Sequence, residues 1–554
     1  MLYLRSIFFY FLAIKTFLRK IYKKFYFSTQ LYQKSLQTKR PEKFKFFPKT
    51  FHYSLFTNYK NFSFKVTEID PENFWEPGKN EKEIIKLNEF LWLNLINRKS
   101  DSSIIRKIII NWIKKNDKIN LKTWGTTVTS RRTLSWIFNA EIMLNSTNKN
   151  FQDLLLDSII KQINHLKLNY RFEIRTEKKI EILSAILMSG LVFEEYSDNF
   201  EFGLRELKKI KEFFFDKEGF PLTRNPNDLI IFSKYFVLIR ECMKDAQKYI
   251  PEFLNEITDK NLSCLKKITT PDFKMPLFNG ATEIELKDFF NYIENLNIKI
   301  SNIKENVGKI VIIKSKKDFI LLDAGNPPIK DLSSHYQSGP LSFEYYNDKE
   351  KIITNCGFGQ NISSKAMLIS RLTSAQSTLC LNDTSIVKFE RSKILNSAFG
   401  NSIKTSFKIF DENNEENDAT LKFWASHDAY EKKFGCYHKR VIGIDKISSD
   451  VIGFDELKIK KNNGSIRYSI RFHLYPGIDA SLTLSGKSVL LKLKKNKSIL
   501  FLCDEGKISL EKSVFLGGNK LLNNLCINIA GNLNNENKVI KWVFKKKFSN
   551  EVKN

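Results

Sequence analysis

Residues 333–357 read SSHYQSGPLSFEYYNDKEKIITNCG, and this stretch decides the fold of the second half of the chain. It opens as a polar loop around His335. Alternation and aromatic enrichment then predict a strand over 341–346, a tight turn at Asn347-Asp348 and a second strand over 351–355. His335 falls just before the first strand, where a side chain can reach out from the face of a sheet. A hairpin of this kind needs further strands beside it. The chain supplies them from Lys309 to Val543, starting with a hairpin over 309–314 and 318–323.

Upstream the period changes. Amphipathic helices are predicted over 81–95, 103–115, 130–144, 151–168, 178–193, 204–214, 229–246 and 284–296, with short spacers marked by Pro, Gly or Asn. Helical hairpins in series build a toroid or an α-solenoid. A fixed sequence period is lacking, which disfavours a repeat array. Phe278-Asn279-Gly280 opens the expected linker zone, which runs to Asn306. The predicted organisation is a basic aromatic segment over 1–69, a helical domain over 70–300 and a β-domain over 301–554. The fold class is α+β and multidomain, helices first and strands second.

A chain of 554 residues exceeds one hydrophobic core. Its 42% hydrophobic content and 47 Phe exclude global disorder. The 90 Lys and Arg against 61 Asp and Glu give +29. That charge implies affinity for polyanions, or a surface composed largely of Lys. No helix-turn-helix, zinc finger or RNA-binding-sheet signature occurs, so no specific nucleic acid is expected. The seven Cys are scattered and odd in number, without a C-x-x-C pair. Neither a disulfide framework nor a zinc knuckle is expected.

Positions 1–50 hold twelve Lys or Arg and one acid, Glu42. The apolar run 7–14 is short for a spanning helix, and no small-residue cleavage site follows it. Two readings stay open for residues 1–30. One is an amphipathic basic helix on an anionic membrane surface; the other is a basic helix packed on its own domain. In the helical half, Trp124, Arg131, Arg132 and Trp136 pair guanidinium forks with aromatic faces. Arg recognises carboxylate or sulfate bidentately and Trp stacks on sugar rings, while the same four residues suit a packed helix face equally.

Several motifs, taken in order, resemble the heparinase II/III-like polysaccharide lyases. The family carries His-x-His-x-Asp-x-Leu-Ser-Phe where this chain has His335, Gln337, Leu341, Ser342 and Phe343. Trp124 with Ser130 to Trp136 resembles its Trp…Arg-Arg…Trp signature, and Gly219 to Pro226 resembles its Arg-(Ser/Asn)-Pro loop. Ala425 to Tyr430, Phe434-Gly435 and His438 to Arg440 resemble its Ser-His-Asp-Gly-Tyr…His-Arg-Arg segment. The resemblance implies an N-terminal (α/α) toroid followed by an antiparallel β-sandwich. It also implies binding of acidic polysaccharide and β-elimination, in which a base takes the proton α to a uronate carboxylate.

The chemistry departs from that pattern. Glu177 and Lys178 stand where active members place Asn or His, and Asp228 where they place the catalytic Tyr; Tyr235 lies nearby. Gln337, Asn355 and Gln376 match a His, an Asp and a His, and three neutral amides would not hold zinc. No metal and no cofactor are expected. The matched substrate-binding candidates are Trp124, Arg131, Arg132, Trp136, Arg224, Asn225, Gln337 and Arg440. A rewired catalytic set would draw on His335, His427, Tyr430 and His438. The expectation is therefore a heparinase II/III-like protein that acts on or binds acidic polysaccharide, or an inactive glycan-binding protein at the cell envelope or membrane.

Overall fold

The segment Thr176–Val192 is apolar on nearly every side, and such a helix must be covered all round. In the computed structural model it packs on the helices Thr126–Phe138, Lys149–Tyr170 and Ser197–Phe214. Two glycines permit that approach. A Cβ on Gly190 would fall 2.2 Å from the Phe200 nitrogen, and one on Gly203 would fall 2.7 Å from Leu187 Cβ. The structure describes residues 2–56, 71, 74–75, 81–95, 102–120, 122–145, 148–392, 394–396, 400–461 and 464–546.

Two compact units interleave along the chain. One comprises Met1–Phe215 and Ile230–Asn261; the other comprises Asp216–Leu229 and Leu262–Asn554. The first is helical. The predicted helix over 81–95 is broken by the positive φ of Phe90, leaving Glu81–Asn88 and a 3₁₀ turn, Leu91–Leu95. Helix Leu2–Tyr26 exposes Ile7, Phe11, Ile14, Leu18, Tyr22 and Phe25 at steps of three and four, so they form one stripe. Its end is tied down by Tyr32, whose hydroxyl lies 2.7 Å from His165 Nδ1.

The change from helix to strand falls between Asn295 and Ile310. In chain order the strands are β1 Ile310–Lys314, β2 Asp318–Asp323, β3 Phe343–Asn347, β4 Glu350–Thr354, β5 Leu379–Leu381, β6 Ile409–Glu416, β7 Thr420–His427 and β8 Cys436–Asp445. They continue as β9 Val451–Ile459, β10 Ser465–Leu474, β11 Asp479–Leu482, β12 Ser488–Lys492, β13 Ser498–Cys503, β14 Lys507–Phe515, β15 Leu522–Asn534 and β16 Lys538–Lys545. One antiparallel sheet has the order β1-β2-β3-β4-β10-β15-β14, with β5 also on β10. The other has the order β11-β12-β13-β16-β9-β8-β7-β6. Alternate side chains of both sheets meet in one apolar core, including Phe343, Tyr345, Phe472, Phe501, Trp542 and Phe544, so the arrangement is a sandwich.

The predicted hairpin is β3 and β4. Asn347 pairs with Glu350, so the turn is Asp348-Lys349, one residue later than expected, and Asp348 takes the positive φ of 55°. β3 is buried on both faces rather than one. Phe343 and Tyr345 enter the core, while Glu344 on the opposite side pairs with Lys351 at 2.8 Å.

Candidate functional site

Asn279 and Gly280 both take positive φ, 51° and 102°, and turn the chain tightly beside the loop that carries His335. Glycine is needed there. A Cβ on Gly280 would fall 2.6 Å from His335 Cβ and 3.1 Å from Asn225 Nδ2. The Gly280 amide donates to Gln337 Oε1 at 3.0 Å, and the His335 ring lies 5.2 Å from that of Phe358. His335, Asn225 and Gln337 are thus brought together within one unit. His335 is part-exposed, whereas Asn225 and Gln337 are buried.

Arg224 adjoins this cluster but faces inward. Its guanidinium donates to the carbonyls of Gly308, Gly325 and Asn326 and pairs with Asp323, whose other oxygen accepts from Asn279 Nδ2 at 3.1 Å. Only 8% of Arg224 is exposed. It is a strut under the site, and its donors are already engaged. Asp228, in the first turn of helix Pro226–Asp245, accepts from Thr223 Oγ1 at 2.6 Å and from Asn225 Nδ2 at 3.5 Å. A carboxylate there closes the start of its own helix.

The three amides at the expected metal positions are bonded to backbone. Gln337 Nε2 donates to the carbonyls of Ser370 (2.7 Å) and Gly357 (3.3 Å), and Gln376 Nε2 to the same Ser370 carbonyl at 2.8 Å. Asn355 donates to the Leu277 carbonyl and accepts from the Ser377 amide. Neutral amides held by backbone groups in this way do not fit a zinc ion. Among the described residues no group of three or more His, Cys, Asp or Glu is arranged to hold a metal.

Four candidates from the second half prove to be interior. His427, His438, Arg440 and Tyr430 are at most 1% exposed. The Ala429 amide donates to His427 Nδ1, His427 Nε2 lies 3.0 Å from His438 Nδ1, and His438 Nε2 lies 2.6 Å from Asp455. Only one tautomer set satisfies all three contacts: both imidazoles neutral, each protonated on Nε2. Burial, first of all, lowers the pKa of both rings. Burial alone would raise the Asp455 carboxyl, but Arg440 and His438 outweigh it and hold it well below the usual carboxylate range. Arg440 also donates to the carbonyls of Leu341 and Ser377, and Tyr430 to that of Leu379. The four brace the core behind the 333–357 hairpin; none has surface to offer a polymer.

In the helical unit Trp124, Trp136 and Arg132 are likewise buried. Arg132 stacks on Trp112 at 4.1 Å and donates to Gln162 Oε1 and the Thr123 carbonyl. Arg131 keeps a partly exposed side chain but forms ion pairs with Glu181 and Glu89, both at 2.8 Å. The packing reading of these four residues is therefore the one realised. Sequence reasoning missed Asn279, Gly280, Asp323 and Phe358. The Asn-Gly pair is the available signal, although in sequence it reads equally as the start of a linker.

Comparison with known proteins follows the same division. Residues 306–543 match the family model "Heparinase II/III-like, C-terminal". The β-sandwich thus resembles a heparinase II/III-like C-terminal domain, matched over less than half of the chain. A heparan sulfate lyase HepC mutant from Pedobacter heparinus superposes with a TM-score of 0.63 at 14% identity, covering 90% of this chain and 83% of the other. A heparinase III crystal structure superposes with a TM-score of 0.67 at 15% identity, covering 91% and 85%. At such identities these likenesses establish the fold. Among curated proteins, FtsZ-localized protein C of Caulobacter vibrioides is 22% identical over 443 residues, 77% of this chain and 75% of that protein.

Proposed function

We propose that this heparinase II/III-like chain binds acidic polysaccharide at the part-exposed His335 and has lost β-elimination. The observation that carries the reading is the Thr223–Asp228–Asn225 arrangement. Where the family resemblance implies a phenol able to shuttle a proton, this chain holds a carboxylate bonded into a helix start. A carboxylate there also repels a uronate. Gln337 and Gln376 support the same view, since both hold loops and neither can transfer a proton. The likeness to a heparan sulfate lyase supports an acidic glycan as the ligand class, and +29 favours such a polymer.

The test is ultraviolet absorbance of unsaturated uronate during incubation with heparan sulfate and polygalacturonate, alongside binding to the same immobilised glycans. Binding without absorbance, weakened by His335→Ala at unchanged melting temperature, is the expected result. A turnover signal abolished by His335→Ala would refute the loss of elimination. Binding untouched by His335→Ala would refute the site.

A second reading concerns where the protein works. The apolar stripe of helix Leu2–Tyr26 lies among basic residues with no acid before Glu42, and Arg19 and Lys23 lie over the Phe172 ring. Among the described residues no helix is long and apolar enough to cross a membrane. On this reading the helix lies in the plane of an anionic membrane surface, with the protein at the cell envelope. The likeness to an FtsZ-localized protein supports that placement.

A further inference from the structure

The outward face of the β11-to-β6 sheet carries a feature the glycan site does not use. Its solvent side should be polar in an antiparallel sandwich. Register shows otherwise. Lys541, Phe454, Val441 and Trp424 lie side by side across β16, β9, β8 and β7. In the adjacent row, Leu502, Val543, Ile452, Gly443 and Lys422 lie side by side from β13 to β7. The two rows make an apolar band across the middle of the sheet, and Val441, Ile452, Phe454, Leu502 and Val543 line an open hollow of about 480 Å³ in it.

Gly443 shapes this band. A Cβ there would fall 2.4 Å from the Leu421 carbonyl oxygen, so the position stays bare. Cations stand at both ends. Among the described residues Lys541 forms no ion pair, and Lys422 has only a longer-range attraction to Asp445. Asp504, at the rim, accepts from the Lys541 backbone amide.

We propose that this band docks an acidic, apolar segment of a partner protein. A nucleic acid would leave the apolar floor unused, and a neutral lipid chain would leave the lysines unused. A peptide that alternates acids with large apolar side chains satisfies both, apolar groups on the floor and carboxylates on Lys422 and Lys541. The band lies mid-sheet, so the segment rests on the face rather than extending an edge. This proposal stands apart from the glycan reading and survives its failure.

The probe is a fluorescein-labelled peptide alternating Glu and Asp with Leu and Phe, followed by anisotropy on the full chain. A matched peptide with Lys in place of the acids is the control. The acidic peptide should bind, and K422E/K541E should weaken it about tenfold or more. Ile452→Glu should weaken it as well. A remote pair, K208E/K244E, reports the general effect of charge. Equal weakening by the remote pair would overturn the proposal, as would equal binding of the basic peptide. A dimer in sedimentation that Ile452→Glu dissolves would overturn it in favour of a second copy of the chain. Should Ile452→Glu fail to fold, the lysine pair, Lys541 exposed and Lys422 half-buried, still decides.

Discussion

Gln337 and Gln376 donate to one acceptor, the Ser370 carbonyl, at 2.7 and 2.8 Å. Two side chains far apart in sequence thereby fasten the His335 loop and the Thr373–Ala375 turn to the same point. Gln337 does more than its partner, because its oxygen also accepts from Gly280.

Gln337→Ala should therefore cost more stability than Gln376→Ala. It leaves a buried amide without an acceptor, worth about 1–3 kcal/mol, against about 1 kcal/mol for the second bond to a shared carbonyl. The double variant should exceed the sum, since only then is Ser370 left without a donor from either side chain. Urea unfolding of the four proteins measures this. Equal single losses and strict additivity would show that the shared acceptor has no energetic meaning. Zinc and chelator should leave all four midpoints unchanged.

Stability should fall with acid. Burial lowers the pKa of His427 and His438, takes that of His165 to about 3 and that of His473 to about 4. A folded-state pKa below the unfolded value of about 6.5 means the unfolded chain binds protons first. Stability is then flat above about pH 7 and declines as pH falls through about 6.5, each imidazole adding up to about 1.4 kcal/mol per pH unit. Asp455, also depressed, adds its loss at lower pH. Melting temperatures from pH 8 to pH 5 test this; a constant or rising value toward pH 5 would exclude neutral interior imidazoles.

Arg224→Lys should destabilise by about 3–5 kcal/mol, the cost of leaving a buried carboxylate with an inadequate partner. Lysine cannot reach Asp323 and three carbonyls at once. Replacing both partners, as in R224M/D323L, should cost less than Arg224→Lys alone, because no charge is left buried. The comparison of denaturation midpoints decides whether Arg224 is a strut. A variant that keeps its midpoint but loses glycan binding would restore it to the binding surface.

Asp228→Tyr puts back the residue that the family resemblance implies. It should not bring back elimination, and it should cost about 1 kcal/mol through the lost helix-start bonds. Appearance of unsaturated uronate in this single variant would mean that the rest of the machinery is intact.

Much of the architecture was legible because it depends on period. The alternation in 341–346 and the 3.6-residue pattern in 204–214 survive as β3 and the helix Ser197–Phe214. Depth was not legible. A charged or aromatic residue shows its chemistry in sequence but not its neighbours. Arg132, Arg224 and Arg440 resemble ligand-binding forks until the carbonyls that engage them are seen. His427 and His438 meet across β7 and β8, a pairing only the register supplies. Asn279-Gly280 reads in sequence as the start of a linker, and that it turns against His335 depends on tertiary packing.

Helix Leu2–Tyr26 gives the last prediction. Phe11 and Leu18 lie on its exposed stripe, one at 62% and the other at 58% exposure, and contribute nothing to the core. If the stripe enters an anionic bilayer surface, F11D/L18D removes apolar burial and adds like charge toward the lipid. Flotation with vesicles containing phosphatidylserine should fall sharply for this variant, while its melting temperature stays that of the parent. Wild-type flotation should weaken with salt and be low on purely zwitterionic vesicles, because basic residues supply part of the attraction. A helix that serves only as packing would behave differently: flotation would be absent from the start, or indifferent to both substitutions and salt.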